Sequence, residues 1–194
     1  MNSSKNIDHG NYIPSPIVPG MKVADGEHIR KVFVLSTADV AVGANQDYIG
    51  AVVGSTGSPT TESATETTSD LVTEPVEVTS LSRIPANIEV GADAKLDLTV
   101  IVLPGVSARI PLTIDLTGAH SEVRLSGIYL CSGHDNVTFD ITMHHRTGDC
   151  RSWQTFNGLA TGEARCGFFG KIVIAPDAQR TEAFQENHNI LLSD

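Results

Sequence analysis

Beyond residue 75 the hydrophobic and polar positions of the chain alternate. Ile110, Leu112, Ile114 and Leu116 are interleaved with Pro111, Thr113, Asp115 and Thr117, and Val137, Phe139, Ile141 and Met143 with Thr138, Asp140 and Thr142. A period of two turns one side of an extended chain toward a core and the other toward solvent, so these segments predict half-buried strands. Turn glycines at Gly91, Gly105, Gly118, Gly133, Gly148 and Gly162, then an aspartate turn at Asp177, punctuate the strands about every 14 residues. One strand and one turn per beat describe either an antiparallel meander or sandwich, or a β-solenoid in which two beats complete a coil; periodicity alone does not choose. Upstream, Val32–Leu35 and Val40–Val42 predict the first strands with a less regular pattern. Near the C-terminus, Ile172, Val173 and Ile174 read as a buried strand and Ala175, Pro176 and Asp177 as a turn, with a short helical turn expected in "TEAFQENHNILL".

Composition narrows the class. The 194 residues suit one domain over 1–194, and 5% aromatic content with 17 glycines favours many short strands and tight turns over a helical bundle. The expected fold class is all-β. A formal net charge of −10 without a basic cluster argues against nucleic acid and anionic membrane as partners. The N-terminus is polar and no apolar run reaches about 18 residues, so neither a signal peptide nor a membrane span is expected. Three cysteines with no CxxC pair fit a reducing compartment, and the expected location is cytoplasmic. Residues 54–75 are rich in Ser, Thr, Glu and Pro and predict a mobile loop.

His120, Cys131, His134, His144, His145, Cys150 and Cys166 gather between 120 and 166, but not at the paired short spacings of a zinc site. By strand phase His145 points inward and His144 outward, so His145 reads as a core histidine satisfied by backbone. Cys166 shares the face of Phe168 and Ile172 and reads as a small buried apolar residue, whereas Cys150, in a turn after Gly148 and Asp149, is expected to be exposed and more reactive. Cys150, Cys166 and His145 are the weak metal candidates. Ser152, His145 and Asp149 are close in sequence but lack a GxSxG elbow, and no phosphate loop is present. Asp140 and Asp149 are the carboxylate pair a solenoid hydrolase would offer, and nothing separates them from solvated side chains. No catalytic residue is assigned.

The run "HHRTGDCRSWQTFNGLATGEARCGFFGKIVIAPDAQRTEAFQENHNILLSD" resembles the SufB/SufD family of iron–sulfur cluster assembly proteins. The motif is a histidine, a serine seven residues on, a glycine-bounded strand, then "AQ.T.A.Q.N..LL"; here it falls on His145, Ser152, Gly170, Gln179, Thr181, Gln185, Asn187 and Asn189, as structural or interface residues. The segment "GAHSEVRLSGIYLCSGHDN" looks more like the SufD branch and carries the resemblance weakly back to about residue 85. The resemblance implies a right-handed parallel β-helix. It also implies a non-catalytic SufD-like subunit that pairs with a SufB-type partner in a scaffold worked by the SufC ATPase. The only cofactor implied is a transient iron–sulfur cluster in complex with a partner. Three features depart from the family pattern. Ile114 stands where a SufB-type core cysteine falls, Asn157 where a lysine follows the motif serine, and the chain stops at Asp194, ahead of the family's cluster-site strand and SufC-binding helices. None of the three cysteines therefore inherits a ligand role. The alternative expectation is a free-standing β-helix binding protein that self-associates as a homodimer.

Overall fold

The computed structural model describes residues 12–13, 20–37, 77–80 and 84–192; the loop expected at 54–75 and the run Val40–Val42 lie outside them. The described elements are strands: β1 (Tyr12–Ile13), β2 (Met21–Val23), β3 (His28–Leu35), β4 (Glu77–Ser80), β5 (Asn87–Val90), β6 (Lys95–Val102), β7 (Ser107–Leu116), β8 (Glu122–Cys131), β9 (Asn136–His145), β10 (Arg151–Thr161), β11 (Arg165–Ile174) and β12 (Glu182–Leu192). They form two sheets, one in the order β11-β9-β7-β5-β2 with β1 beside β7, the other β12-β10-β8-β6-β3-β4. From β5 onward consecutive strands alternate between the sheets, and neighbours within each sheet are parallel. The fold is an all-β solenoid of about four coils, which removes the meander. From β5 onward, equivalent residues in successive coils are 26 to 31 positions apart, so two beats of the glycine pattern make one coil.

The two kinds of corner are built differently. Where the chain leaves β6, β8 and β10, Gly105, Gly133 and Gly162 take positive φ of 87°, 59° and 69°. At the opposite corners, after β5, β7, β9 and β11, the left-handed residue is Asp93, His120, Asp149 or Arg180. There the glycine serves closeness instead: a Cβ on Gly118 would lie 1.9 Å from the Ala92 nitrogen, and one on Gly148 would lie 2.6 Å from the Gln179 oxygen. The same regular glycine beat thus has two physical causes.

Alternation becomes burial in the middle coils: β7 buries Ala108, Ile110, Leu112, Ile114 and Leu116, and β9 buries Val137, Phe139, Ile141, Met143 and His145. Each large apolar side chain so enclosed contributes about 1.5–3 kcal/mol relative to exposure. Pro111 survives inside β7 because, among the described residues, β1 covers only Ser107 and Ala108 and β5 only Thr113 to Leu116. The Thr113 N–H points to that side, donating to the Ala86 carbonyl, so the proline two residues earlier aims its missing donor into the gap.

Two local expectations change at the last coil. "TEAFQENHNILL" is not a helical turn; Glu182–Leu192 is an eleven-residue strand in register with Arg151–Thr161. Parallel pairing with β10 along its whole length satisfies one side of its backbone, which overrides a short local helical preference. Ile172–Ile174 belong to β11 but are only partly buried, with Ile174 51% exposed, because β11 is the edge of its sheet. Among the described residues no helix is long and apolar enough to cross a membrane.

Candidate functional site

The lumen of the last two coils is filled by large side chains that occupy the space of glycines one coil away. Gly127 is in register with Phe156, and a Cβ there would meet the Phe156 ring at 2.2 Å. Gly158 is in register with Tyr129 and Asn189, and its Cβ would lie 2.0 Å from the tyrosine ring. Phe156 then packs its ring 5.0 Å from Phe139 and 4.5 Å from Phe168, joining the two sheets across the core. Tyr129 donates its hydroxyl toward Asn187 Oδ1 at 3.1 Å and Asn189 Oδ1 at 2.5 Å. Burial holds its phenol above the usual range, with the neighbouring Cys166 adding to the effect. Two of the motif asparagines are thereby tied to a residue two coils back.

The other motif residues also meet in pairs. Gly170 on β11 faces Gln185 on β12, and a Cβ on the glycine would lie 2.5 Å from the amide. Gln179 and Thr181 build the corner before β12: Gln179 Nε2 donates to the Pro176 carbonyl at 3.0 Å and Thr181 Oγ1 to the Ala178 carbonyl at 3.1 Å. The Asp149 N–H reaches the Gln179 carbonyl at 2.9 Å and stitches this corner to the one below.

His145 and Ser152 end β9 and begin β10, and both turn inward at the same corner. Their Nε2 and Oγ lie 2.9 Å apart, and both residues are fully buried. The partner of this core histidine is therefore a side chain rather than the expected backbone, and its Nδ1 has none. Burial lowers its pKa from the ordinary histidine value. Two residues along β10, Gln154 is buried with neither amide atom paired, directly below Gln185 in register. The lumen here is polar as well as closed. Strand phase marks His145 as inward, but the contact with Ser152 depends on the intervening corner and was not read from the sequence. Tyr129, Gln154 and Phe156 were also missed; their signal is inward phase combined with a coil of about 29 residues.

No hydrolytic arrangement forms from these groups. Asp149 leaves the histidine and accepts two hydrogen bonds from Arg180, at 2.5 and 2.6 Å, which hold its carboxyl below the usual range. Asp140 pairs with Arg109. A cavity of about 390 Å³ at the same corner is lined by His120, Glu122, Asp149, Arg151, Arg180 and Glu182. Its charges are largely matched, with Arg151 3.6 Å from Glu182 and Glu122 2.6 Å from Arg124.

The weak metal candidates do not converge. Cys150 was expected at the surface; it is fully buried, its Sγ 3.3 Å from Ser121 Oγ and within hydrogen-bonding distance of the Gly118 and Gly148 carbonyls. The tight approach of coil on coil at this corner encloses a turn that looks open in sequence. Cys150 and His145 flank one corner, whereas Cys166 sits at the other end of the ten-residue strand β11, roughly 30 Å away at strand rise. Among the described residues no three His, Cys, Asp or Glu side chains are grouped to hold a metal ion.

Among the described residues both sheets present an edge at this end of the solenoid. Phe169 and Ile174 on β11 and Phe184, Ile190, Leu191 and Leu192 on β12 are exposed. On the outer face of the second sheet Phe184 stacks on Trp153 at 6.1 Å, and the Arg124 guanidinium lies 5.2 Å from the Trp153 ring centre.

Comparison with known proteins adds the family. The model of the SUF system FeS cluster assembly, SufBD core domain, matches residues 56–194. An iron–sulfur cluster assembly SufBD family protein of Mycobacterium leprae (strain TN) is 24% identical over 111 residues, covering 54% of this chain and 28% of the relative. SufBD family proteins of Mycobacterium bovis and Mycobacterium tuberculosis H37Rv are each 25% identical over 112 residues, with the same shares covered. The chain thus spans less than a third of the length of the curated relatives it matches. No solved structure matches it.

Proposed function

The chain belongs to the SufBD core domain family of the SUF system, and on that premise we propose that it acts in iron–sulfur cluster assembly as a SufD-like, non-catalytic subunit. It pairs with a SufB-type partner and through it joins a scaffold worked by a SufC-type ATPase, with the cluster as cargo and the cytoplasm as its location. His145, Ser152 and Gly170 are structural in this reading, holding the last coils in shape. Gln179, Thr181, Gln185, Asn187 and Asn189 belong to the docking end.

The observation that carries the reading is the double edge at β11 and β12. Among the described residues neither strand has a second neighbour at this end of the solenoid, and Phe169 is 65% and Leu191 72% exposed. An unpaired parallel edge is a template for strand addition by another chain. The amide row of Gln185, Asn187 and Asn189 adds side-chain donors and acceptors on the lumen side of the same edge.

A second copy is the other reading that an observation favours. Antiparallel pairing of β12 with itself about Asn187 would set Phe184 opposite Ile190 and Glu186 opposite His188, an apolar and a charge-matched pair in each half. Co-purification with SufB-type and SufC-type partners, alone and together, separates the two. Capture of the ternary complex that is lost in Ile190→Lys supports the assembly role. Capture of neither partner, with a concentration-dependent dimer in sedimentation, replaces it with self-association.

A further inference from the structure

The outer face of the second sheet carries a column of side chains in register: Arg30 on β3, Asp97 on β6, Arg124 on β8, Trp153 on β10 and Phe184 on β12. Charges of alternating sign give way to rings. Arg124 makes the junction. Its guanidinium lies over the Trp153 ring, 5.2 Å from the centre, while its nitrogens reach Glu122 at 2.6 Å and Asp97 at 3.8 Å. A planar, weakly hydrated cation on an aromatic face with carboxylates beside it is an arrangement that suits guanidinium better than ammonium. On the far side of Trp153 the Phe184 ring runs nearly parallel, with 11° between the planes and 6.1 Å between centres.

The same ingredients recur at the end of the column. Phe184 is 52% exposed, and Glu182 and Glu186 stand two residues to either side of it, so strand alternation puts all three on the outer face of β12. Glu182 is matched by Arg151 at 3.6 Å, but among the described residues Glu186 meets only His188, at 3.7 Å. Register sets Glu186 beside Thr155 as it sets Phe184 beside Trp153, and these four residues, with Gln154, line a surface cavity of about 290 Å³. That space lies just below the range of drug-sized pockets and suits one inserted side chain. Two rings and a carboxylate short of a strong cation select for positive charge, and the net charge of −10 on the chain favours its approach.

We propose that Trp153, Thr155, Phe184 and Glu186 form a binding site for an arginine side chain of a partner protein, its guanidinium against the rings and paired with the Glu186 carboxylate. Arg124 on Trp153 shows the same contact made within the chain. Lysine fits less well, because its ammonium is a compact, strongly hydrated charge that does not stack on a ring. The site lies on the face of the sheet and not along its open edge, so the inference is independent of the assembly role and is read on the chain alone.

Trp153 is the only tryptophan of the chain, so its fluorescence reports on the site directly. The test titrates the full chain with N-acetylarginine amide, with the lysine and glycine analogues, with methyl glucoside, and with sodium chloride at matched ionic strength. The expected result is a saturable change with the arginine probe at millimolar concentration, weaker binding of the lysine probe, and no saturable change with the other three. Phe184→Ala and Glu186→Gln should each weaken the arginine probe by about two- to fivefold, while Glu163→Gln, which removes the same charge at a distant corner, leaves it unchanged. A linear response shared by all the additives, equal binding of lysine and arginine, saturation with methyl glucoside alone, or undiminished affinity in both site variants would each overturn the proposal. The wild-type titration decides the matter even if a variant fails to fold.

Discussion

The exchange of space between glycines and aromatic rings in adjacent coils can be tested by a double-mutant cycle at Gly127 and Phe156. Gly127 has no positive φ, so alanine is permitted by its backbone. Its methyl group, however, would stand 2.2 Å from one carbon of the Phe156 ring and 2.4 Å from the next. That ring is fully buried between Phe139 and Phe168 and has little room to withdraw. Overpacking of this kind costs about 1–3 kcal/mol, and the reduced entropy of the unfolded chain returns about 0.4–1 kcal/mol. Gly127→Ala should therefore destabilise by about 1–2 kcal/mol. Phe156→Ala opens a cavity at the junction of the two sheets and should cost about 3–5 kcal/mol. In the double variant the new methyl enters that cavity instead of colliding, so the total should not exceed Phe156→Ala alone, giving a coupling of about 1–2 kcal/mol. Urea unfolding followed by far-ultraviolet circular dichroism, with Trp153 fluorescence as a second probe, measures all four corners of the cycle. Strict additivity, within about 0.5 kcal/mol, would refute the packing argument. So would a neutral Gly127→Ala.

Four further outcomes are expected. Ser152→Ala leaves the buried His145 ring with neither nitrogen paired and should cost about 1–3 kcal/mol in the same denaturant assay, whereas Ser152→Thr, which keeps the hydroxyl, should cost less. Because burial holds His145 below the ordinary histidine value, the stability it contributes as a neutral ring is complete above about pH 6.5 and is lost as pH falls through its lower folded value. Urea midpoints should drop between pH 7 and 5, and His145→Gln should flatten that slope. Arg180→Ala should return the Asp149 carboxyl toward the ordinary aspartate pKa, read by carbon-13 nuclear magnetic resonance titration; an unmoved midpoint would remove the guanidinium as its cause. Tyr129→Phe deletes the donor to Asn187 and Asn189 and should speed amide hydrogen exchange in β12 before it lowers global stability, while exchange in β7 stays unchanged.

Much of the strand content was legible because alternation is a local property. Each of Ile110, Leu112, Ile114 and Leu116 is buried where the period of two placed it, and His145 faces inward as the phase of β9 requires. The glycine beat located the corners for the same reason, since a turn must interrupt the pattern wherever the chain changes sheet. The choice of solenoid came from motif resemblance and not from the pattern, because a meander and a coil share the same period within each strand.

What local pattern could not express is which strand lies beside which. Parallel stacking turned the expected helical turn of the C-terminal segment into β12, because its backbone hydrogen bonds are made to β10 and not to its own neighbours. Coil-on-coil contact buried Cys150 in a corner that looks like an open turn. It also left Ile174 half exposed at a sheet edge despite its apolar run. The sequence by itself determined the strands, their inward faces and the corners, since those depend on residues two to four positions apart. The tertiary structure alone decided the pairings, the depth of each corner and the contacts inside the lumen, since those join side chains a whole coil apart and only the register between coils brings them together.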